Sequence, residues 1–351
     1  MNKKILALVL AAALCLAGCT FKTPQTVGNI GGTEISAGIY LLAQYEAYQV
    51  ASGLTSDKEV LKATVKDADG NEMTGAEYVA QHTIKNIQRY AAAEQMFSEM
   101  GGSFDEAKQA EIDAAVDAQW QRSEASYVKN GIGYESLKAW GYNSYKEDAL
   151  LDMLYGQQGT QPATDEELTA YAEENFVRST YLLLPYFDMS TFKSLSEEDQ
   201  KTVEGWAGEI AQRVQEGGEL KAVAGEYLPK LGELLGADLS ADDIDSYLMA
   251  GSLLTYDGLS TYLGAEAIEE IRGMKPGETK ALKSSGYNYG SIVYTKGEVF
   301  DDATSLDDVR EVALYGLKGD ELEELLLEKG AQAAQNLDQK AMDTYSPKKI
   351  K

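Results

Sequence analysis

The sequence predicts a mostly helical α+β fold: a long helical stretch, then a compact α+β unit, then a return to helix. Three observations predict it. Ser/Thr-x-x-Glu pairs recur at Thr74/Glu77, Ser103/Glu106, Ser144/Glu147 and Thr164/Glu167, each matching the capping box that opens a helix. An apolar run, Val177, Tyr181, Leu182, Leu183 and Leu184, then ends at Pro185 and reads as a buried strand over 177–184. Finally, residues 279–282 and 291–295 read as a strand pair around Ser284-Ser285-Gly286, after which helical periodicity returns.

Residues 1–18 stand apart from the fold. Lys3 and Lys4 precede an apolar run from Ile5 to Ala17, too short to span a bilayer and ordered as a secretion signal. The run ends in Leu16-Ala17-Gly18-Cys19, which resembles the lipobox of bacterial lipoproteins. That resemblance implies cleavage after Gly18 and a diacylglycerol on the Cys19 thiol, with residues 19–26 as a tether. Two acyl chains hold a protein durably where one does not. Residues 20–26 span at most about 25 Å, so the folded body sits close to the membrane. The other cysteine, Cys15, lies in the removed segment, so the processed chain has no internal disulfide and its stability comes from packing.

Residues 27–175 form the helical lobe. A short strand near 27–30 meets the turn signal Gly31-Gly32, and Glu34-Ile35 returns. Ser36 caps a helix whose apolar face carries Ile39, Leu42, Ala43 and Ala47. The polar joints KDADGNEMTG (with Asp69-Gly70), GGSF and NGIGYES separate the helices that follow. Residues 176–298 form the α+β domain. Its first strand leads through a polar stretch to a helix with Trp206, Ile210 and Val214 that stops at Gly217-Gly218. A second helical piece carries Leu220, Val223, Ala224 and Tyr227, and a looser acidic section, LGADLSADDIDSYLMAGSLL, follows. The helix AEAIEEIRGM and the Pro276-Gly277 turn lead into the closing strands. Residues 299–351 return to helix, with Leu306, Val309, Ala313, Leu322, Leu325 and Leu326 on apolar faces. Gly316 and Gly319 predict a kink or break there, and the tail SPKKIK predicts a frayed end.

With 351 residues, 44% of them apolar, the chain can build two or three cored domains. Its net charge is −26, and loss of Lys3 and Lys4 with the signal makes it −28. Such an acidic body excludes nucleic acid and anionic lipid as docking partners, because both require basic patches. The charge keeps a crowded protein soluble, and a second reading is attraction of basic unfolded chains.

The order of these segments carries a family resemblance. VGNIGGTEISAGIY is similar to the V-x-G-x-x-I-S opening of the PrsA/SurA-type extracytoplasmic foldases, in which a helical chaperone lobe is interrupted by a parvulin-type prolyl isomerase domain and a C-terminal helix packs back onto the first lobe; the resemblance implies a discontinuous helical chaperone lobe, N-terminal helices plus the C-terminal helix, with an inserted parvulin-like α+β domain. VRSTYLLLPY resembles the first parvulin strand, and WAGEIAQRVQEGGELKAVAGEY its helix-Gly-helix segment. IRGMKPGETKALKSSGYNYGSIVYT resembles its closing turn and strands, and SLDDVREVALYGLKGDELEELL the returning helix. The resemblance covers nearly all of the processed chain, and implies a cell-membrane lipoprotein on the outer face of an envelope of Gram-positive type.

Laid over the family's S-H-I-L, Tyr181 stands where His is expected. The second expected His, after a Gly-Tyr, falls on Asn288 or, in an alternative alignment, on Ser291. The Gly-Gly-Asp-Leu-Gly loop of active parvulins has no good counterpart, LGADLSAD being a distant echo of it. The resemblance therefore implies a degenerate active site. Prolyl isomerisation needs no covalent chemistry, only a lowered barrier of roughly 18–20 kcal/mol, so hydrogen bonds from Tyr181, Asn288 or Ser291 could still serve it.

Other chemistry has less to stand on. His82 is the single histidine, on a helix with no nucleophile motif or second ligand, so it reads as a partly exposed helix residue rather than a catalytic or metal site. No metal ligand set, no cofactor and no ATP motif are read. The 22 tyrosines, against 7 Phe, are the unusual count. A tyrosine ring is stiff and apolar with one polar tip, suited both to helix interfaces and to transient contact with unfolded segments. The candidate client-binding residues are Tyr40, Tyr45, Tyr48, Tyr181, Leu183, Tyr287 and Tyr289. The leading expectation is a membrane-anchored chaperone or foldase for unfolded or newly secreted proteins, with an inactive or weak parvulin-like domain. An active prolyl isomerase on the same scaffold is the alternative. A solute-binding lipoprotein of a transporter comes third, since it requires repeated βαβ lobes that the helical run does not supply.

Overall fold

The computed structural model describes residues 25–350 other than 69, 189, 190, 303, 348 and 349. The signal segment and Cys19 lie outside the described residues, as does most of the tether. In chain order, β1 (Thr26–Ile30) and β2 (Thr33–Ser36) form a hairpin that runs into α1 (Ala37–Gly53). Then come β3 (Thr64–Lys66), β4 (Glu72–Thr74), α2 (Gly75–Glu99), α3 (Glu106–Lys129), α4 (Tyr134–Tyr155) and α5 (Asp165–Asn175). The strand β5 (Phe176–Pro185) follows directly, then α6 (Glu197–Gln215), α7 (Leu220–Gly225), α8 (Leu228–Leu235) and a 3₁₀ turn at Ala241–Ser246. The chain continues through β6 (Leu248–Thr255), α9 (Tyr256–Leu263), α10 (Ala265–Gly273), β7 (Thr279–Ser284) and β8 (Gly290–Gly297). It ends with α11 (Leu306–Gln332), β9 (Gln335–Leu337) and α12 (Gln339–Thr344). The fold is α+β and mostly helical, as the sequence predicts.

The chain divides into two units. Unit 2 is Ala163–Leu317, inserted into unit 1, which takes the described residues up to Pro162 and from Lys318 onward. The helical unit is thus discontinuous. In unit 1, β1 lies between β2 and β9. Val27, Ile30 and Ile35 from that sheet bury against Ile39, Tyr40, Ile87 and Tyr90 of α1 and α2. A second core joins Leu42 to Ile112, Val116, Tyr127 and Leu137 of α3 and α4.

Unit 2 holds a four-stranded sheet in the order β6-β5-β8-β7. Side chains of β5 alternate between two cores. Leu182, Leu184 and Tyr186 pack with α6, α7 and α8 on one face, and Val177, Tyr181 and Leu183 with α9 and α10 on the other. A strand covered on both faces needs apolar residues at every position, which explains the unbroken run at 181–184. All strand pairs among the described residues are antiparallel. The repeated βαβ lobes that a solute-binding reading requires are not formed there.

Local details depart from the sequence reading at several points. Thr74 and Thr164 close true capping boxes with Glu77 and Glu167. Ser144, however, lies inside α4 and its hydroxyl turns back to the Trp140 carbonyl at 3.4 Å, while Asp105, not Ser103, caps α3. A capping residue must have non-helical backbone, and the motif alone does not fix that. The helical lobe also contains the β3–β4 hairpin. The acidic section read as loose contains β6, whose Gly251 and Ser252 interrupt its apolar pattern. Despite Gly316 and Gly319, α11 runs unbroken from Leu306 to Gln332.

Candidate functional site

The two residues overlaid on the missing histidines meet. Tyr181 stands in β5 with 2% of its surface exposed, and Asn288 Nδ2 donates to its hydroxyl at 2.9 Å. Tyr181 is in register with Tyr294 of β8, and their rings stack with centroids 6.4 Å apart. Burial pushes the Tyr181 phenol above the usual tyrosine range, an effect the Asn288 bond partly offsets. The phenol is therefore neutral at physiological pH and acts through hydrogen bonds rather than as a base.

Asn288 is held by the loop 285–289, which lies across the end of α9. Its N–H donates to the Tyr262 carbonyl at 2.9 Å, Tyr287 N–H to Thr261 at 3.2 Å and Ser285 N–H to Leu263 at 3.0 Å. Gly286 makes this fit possible, since a Cβ there would stand 2.5 Å from the Tyr262 carbonyl oxygen. The loop and the helix end present three tyrosines to solvent: Tyr287 at 78% exposure, Tyr262 at 44% and Tyr289 at 38%. Tyr289 also packs edge-on against Tyr186, with centroids 5.3 Å apart.

Ser291 is elsewhere. Its register partner is Leu184, so it faces the α6 core, where its hydroxyl lies 2.7 Å from the Tyr186 hydroxyl. Tyr186 in turn donates to Glu204 Oε1 at 3.0 Å, and burial, first of several causes, pushes its pKa up to about 12. Tyr181 and Asn288 are brought together, and Ser291 belongs to a different network across the sheet. Of that Ser291–Tyr186–Glu204 chain only Ser291 was singled out in the sequence, and the exposed Tyr262 was not. The only available signal for Tyr262 was its place one residue before the end of an amphipathic helix.

The remaining candidates divide by burial. Leu183 is buried in the sheet core and Tyr40 in the core of unit 1. Tyr45 packs edge-on against Tyr127 and bonds Ser126 at 3.0 Å, and Tyr48 packs against the core around Val65 and Tyr78. The α1 tyrosines thus fill helix interfaces, which leaves Tyr287 and Tyr289 as the exposed members of the set. His82 stacks on Tyr78 at 3.9 Å, and burial lowers its pKa. Among the described residues no helix is long and apolar enough to cross a membrane.

Comparison with known proteins gives neighbours by structure alone. No family model matches the chain, and no curated protein matches it. Solved structures similar to it include the foldase protein PrsA of Streptococcus pneumoniae, at 12% identity and a TM-score of 0.39, covering 81% of this chain and 99% of that one. The foldase protein PrsA of Lactococcus lactis matches at 10% identity and 0.36, over 93% and 99%. PrsA of Bacillus subtilis matches at 13% and 0.29, over 81% and 93%. All three scores lie below 0.5, so the functional reading stands on this chain's own residues.

Proposed function

We propose that this chain is an extracytoplasmic chaperone or foldase, anchored to the outer face of the cell membrane through lipid on Cys19. It binds unfolded or newly secreted polypeptides, and its parvulin-like domain, residues 176–298, is catalytically weak or inactive. The observation that carries this reading is the exposed trio Tyr262, Tyr287 and Tyr289 around the Tyr181–Asn288 pair. Stiff amphipathic rings offer apolar contact of low sequence demand, and no nucleophile–base pair accompanies them. The segment order of the whole chain supports the same assignment, with residues 27–175 and 299–351 as the chaperone-like lobe.

The isomerase reading has one observation in its favour. With one Nδ2 hydrogen of Asn288 donated to Tyr181, the pair keeps the other Nδ2 hydrogen and the phenol O–H as donors for a twisted prolyl amide. A refolding substrate limited by proline isomerisation separates the two, with aggregation followed in parallel. Suppressed aggregation without faster refolding is expected. Acceleration at substoichiometric amounts would instead make the chain an enzyme, with Tyr181→Phe expected to slow it. Neither effect would remove both readings. The anchor is tested by Cys19→Ala, which is expected to lose fatty-acid labelling and release the protein from the membrane.

A further inference from the structure

The two edges of the unit 2 sheet are built differently. On β7, Lys280 and Lys283 interrupt the edge and pair with Glu278 at 3.0 Å and Glu204 at 3.3 Å. Lysines of this kind are the usual guard against an added strand. On the opposite edge, β6 reads LMAGSLLT and contains no charge and no proline. Leu248, Met249, Leu253 and Leu254 are half-buried, and Ala250 and Gly251 are exposed.

The backbone of β6 shows what such an edge accepts. Leu183 N–H donates to the Tyr247 carbonyl at 2.8 Å, and Tyr181 is in register with Met249. Main-chain groups alternate in direction along a strand, so the Tyr247 carbonyl and the Met249 main chain face β5 and those of Leu248 and Ala250 face outward, up to the bulge at Gly251 (φ 63°), whose carbonyl accepts from Arg178 Nη1 at 3.1 Å. A side chain cannot satisfy that spacing of donors and acceptors as a second strand does. The flanks add a charge preference. Asp242, Asp243 and Asp245 precede the strand and Asp257 follows it. Asp243 is spent on the Ser240 cap and Asp245 pairs with Lys221, whereas Asp242 and Asp257 are exposed. The ring of Phe192, 76% exposed, stacks on Phe187 in the loop after β5.

From this geometry we infer that β6 is a docking edge for an extended client segment, apolar at its centre and basic at its flanks, which adds to the sheet as a fifth strand. The inference rests on the chaperone reading and names how the client is held: by its main chain, so that sequence matters little beyond the apolar centre and the basic ends.

The probe is a fluorescent peptide with a Val-Thr-Val-Thr-Val-Thr centre and two Lys at each end, added to the processed chain. Amide exchange is expected to slow at Leu248 and Ala250 on binding. A version N-methylated at every central residue keeps the side chains but removes the donors, and is expected to bind more than about tenfold more weakly, as loss of several net hydrogen bonds requires. Ala250→Pro removes one outward N–H and is expected to weaken the unmethylated peptide in the same direction. Equal binding of both peptides, or protection confined to the Tyr287–Tyr289 loop, would overturn the edge while leaving the chaperone reading intact. Protection of Leu248 and Ala250 that grows with protein concentration in the absence of peptide would overturn it in favour of pairing with a second copy. Failure of the unmodified chain to bind the peptide or suppress aggregation would remove the edge and the reading beneath it together.

Discussion

Ser179 and Tyr294 are both fully buried, and their hydroxyls lie 2.7 Å apart. Burial holds the Tyr294 phenol well above the usual tyrosine range, so both groups stay neutral and depend on each other. Either single change, Ser179→Ala or Tyr294→Phe, strands a buried hydroxyl and is expected to cost about 1–3 kcal/mol in a denaturant unfolding experiment. The double variant removes both partners and is expected to cost less than the sum, with the coupling visible in a double-mutant cycle. Additivity would show that the pair does not act as a unit. The same scale shows what sequence can and cannot place. The Tyr181–Asn288 meeting was legible because both residues fall on motif positions. The separation of Ser291 was not. Tyr181 lies three residues before Leu184, the partner of Ser291. An odd offset along a strand reverses the face, and only the pairing register reveals it.

Gly28 shows the same limit for an element. The opening hairpin was readable from Gly31-Gly32, and the structure turns there. The third strand, β9, was not foreseen, because three residues more than 300 positions away carry no local signal. Gly28 has φ of 122°, and a Cβ there would lie 2.1 Å from the Asn336 carbonyl oxygen and 2.8 Å from Leu337 Cα, both backbone atoms of β9. Gly32 also has positive φ, 93°, but open space around it. Gly28→Ala must therefore push β9 away as well as strain its own backbone. A loss of more than about 2 kcal/mol is expected for it, against roughly 1 kcal/mol for Gly32→Ala. Equal losses would mean that β9 docks without depending on the close approach. The helices of unit 1 hold a second dependency. Trp140 of α4 donates to Glu46 of α1 at 2.7 Å, and burial raises the Glu46 carboxyl above its usual range. A raised folded-state value means that this group's contribution is fully present below its unfolded pKa and is lost as pH rises through the folded one. Glu46→Gln keeps an acceptor for the indole and cannot ionise. Its unfolding free energy is expected to fall less than that of the unmodified chain between pH 5 and 7. Parallel pH profiles would show that Glu46 ionises without cost in the folded state.

At the scale of the molecule, charge was legible from composition and its use was not. The chain carries 57 acidic against 31 basic residues, a net −26. Among the described residues many acids are already paired, as Glu226 is with Arg213 at 2.8 Å and Asp165 with Arg310 at 2.8 Å. Such exposed pairs add little stability. What remains is a long-range negative field, and a field acts on encounter rates more than on bound contacts. Self-repulsion alone would make the protein soluble and indifferent to client charge. Attraction predicts a difference between clients. The screening length falls from about 30 Å at 0.01 M salt to about 10 Å at 0.1 M. Association with a basic unfolded protein is therefore expected to slow by about tenfold or more from 0.01 to 0.3 M salt, a range typical of steered encounters. Association with an acidic unfolded protein of similar length is expected to stay level or quicken, because the same salt screens repulsion. Stopped-flow measurement on both clients separates the cases. Slowing for both would trace the salt effect to the clients' own compaction. Slowing for the basic one alone would tie the acidic body, including the Asp residues that flank β6, to the selection of which unfolded chains the protein meets first.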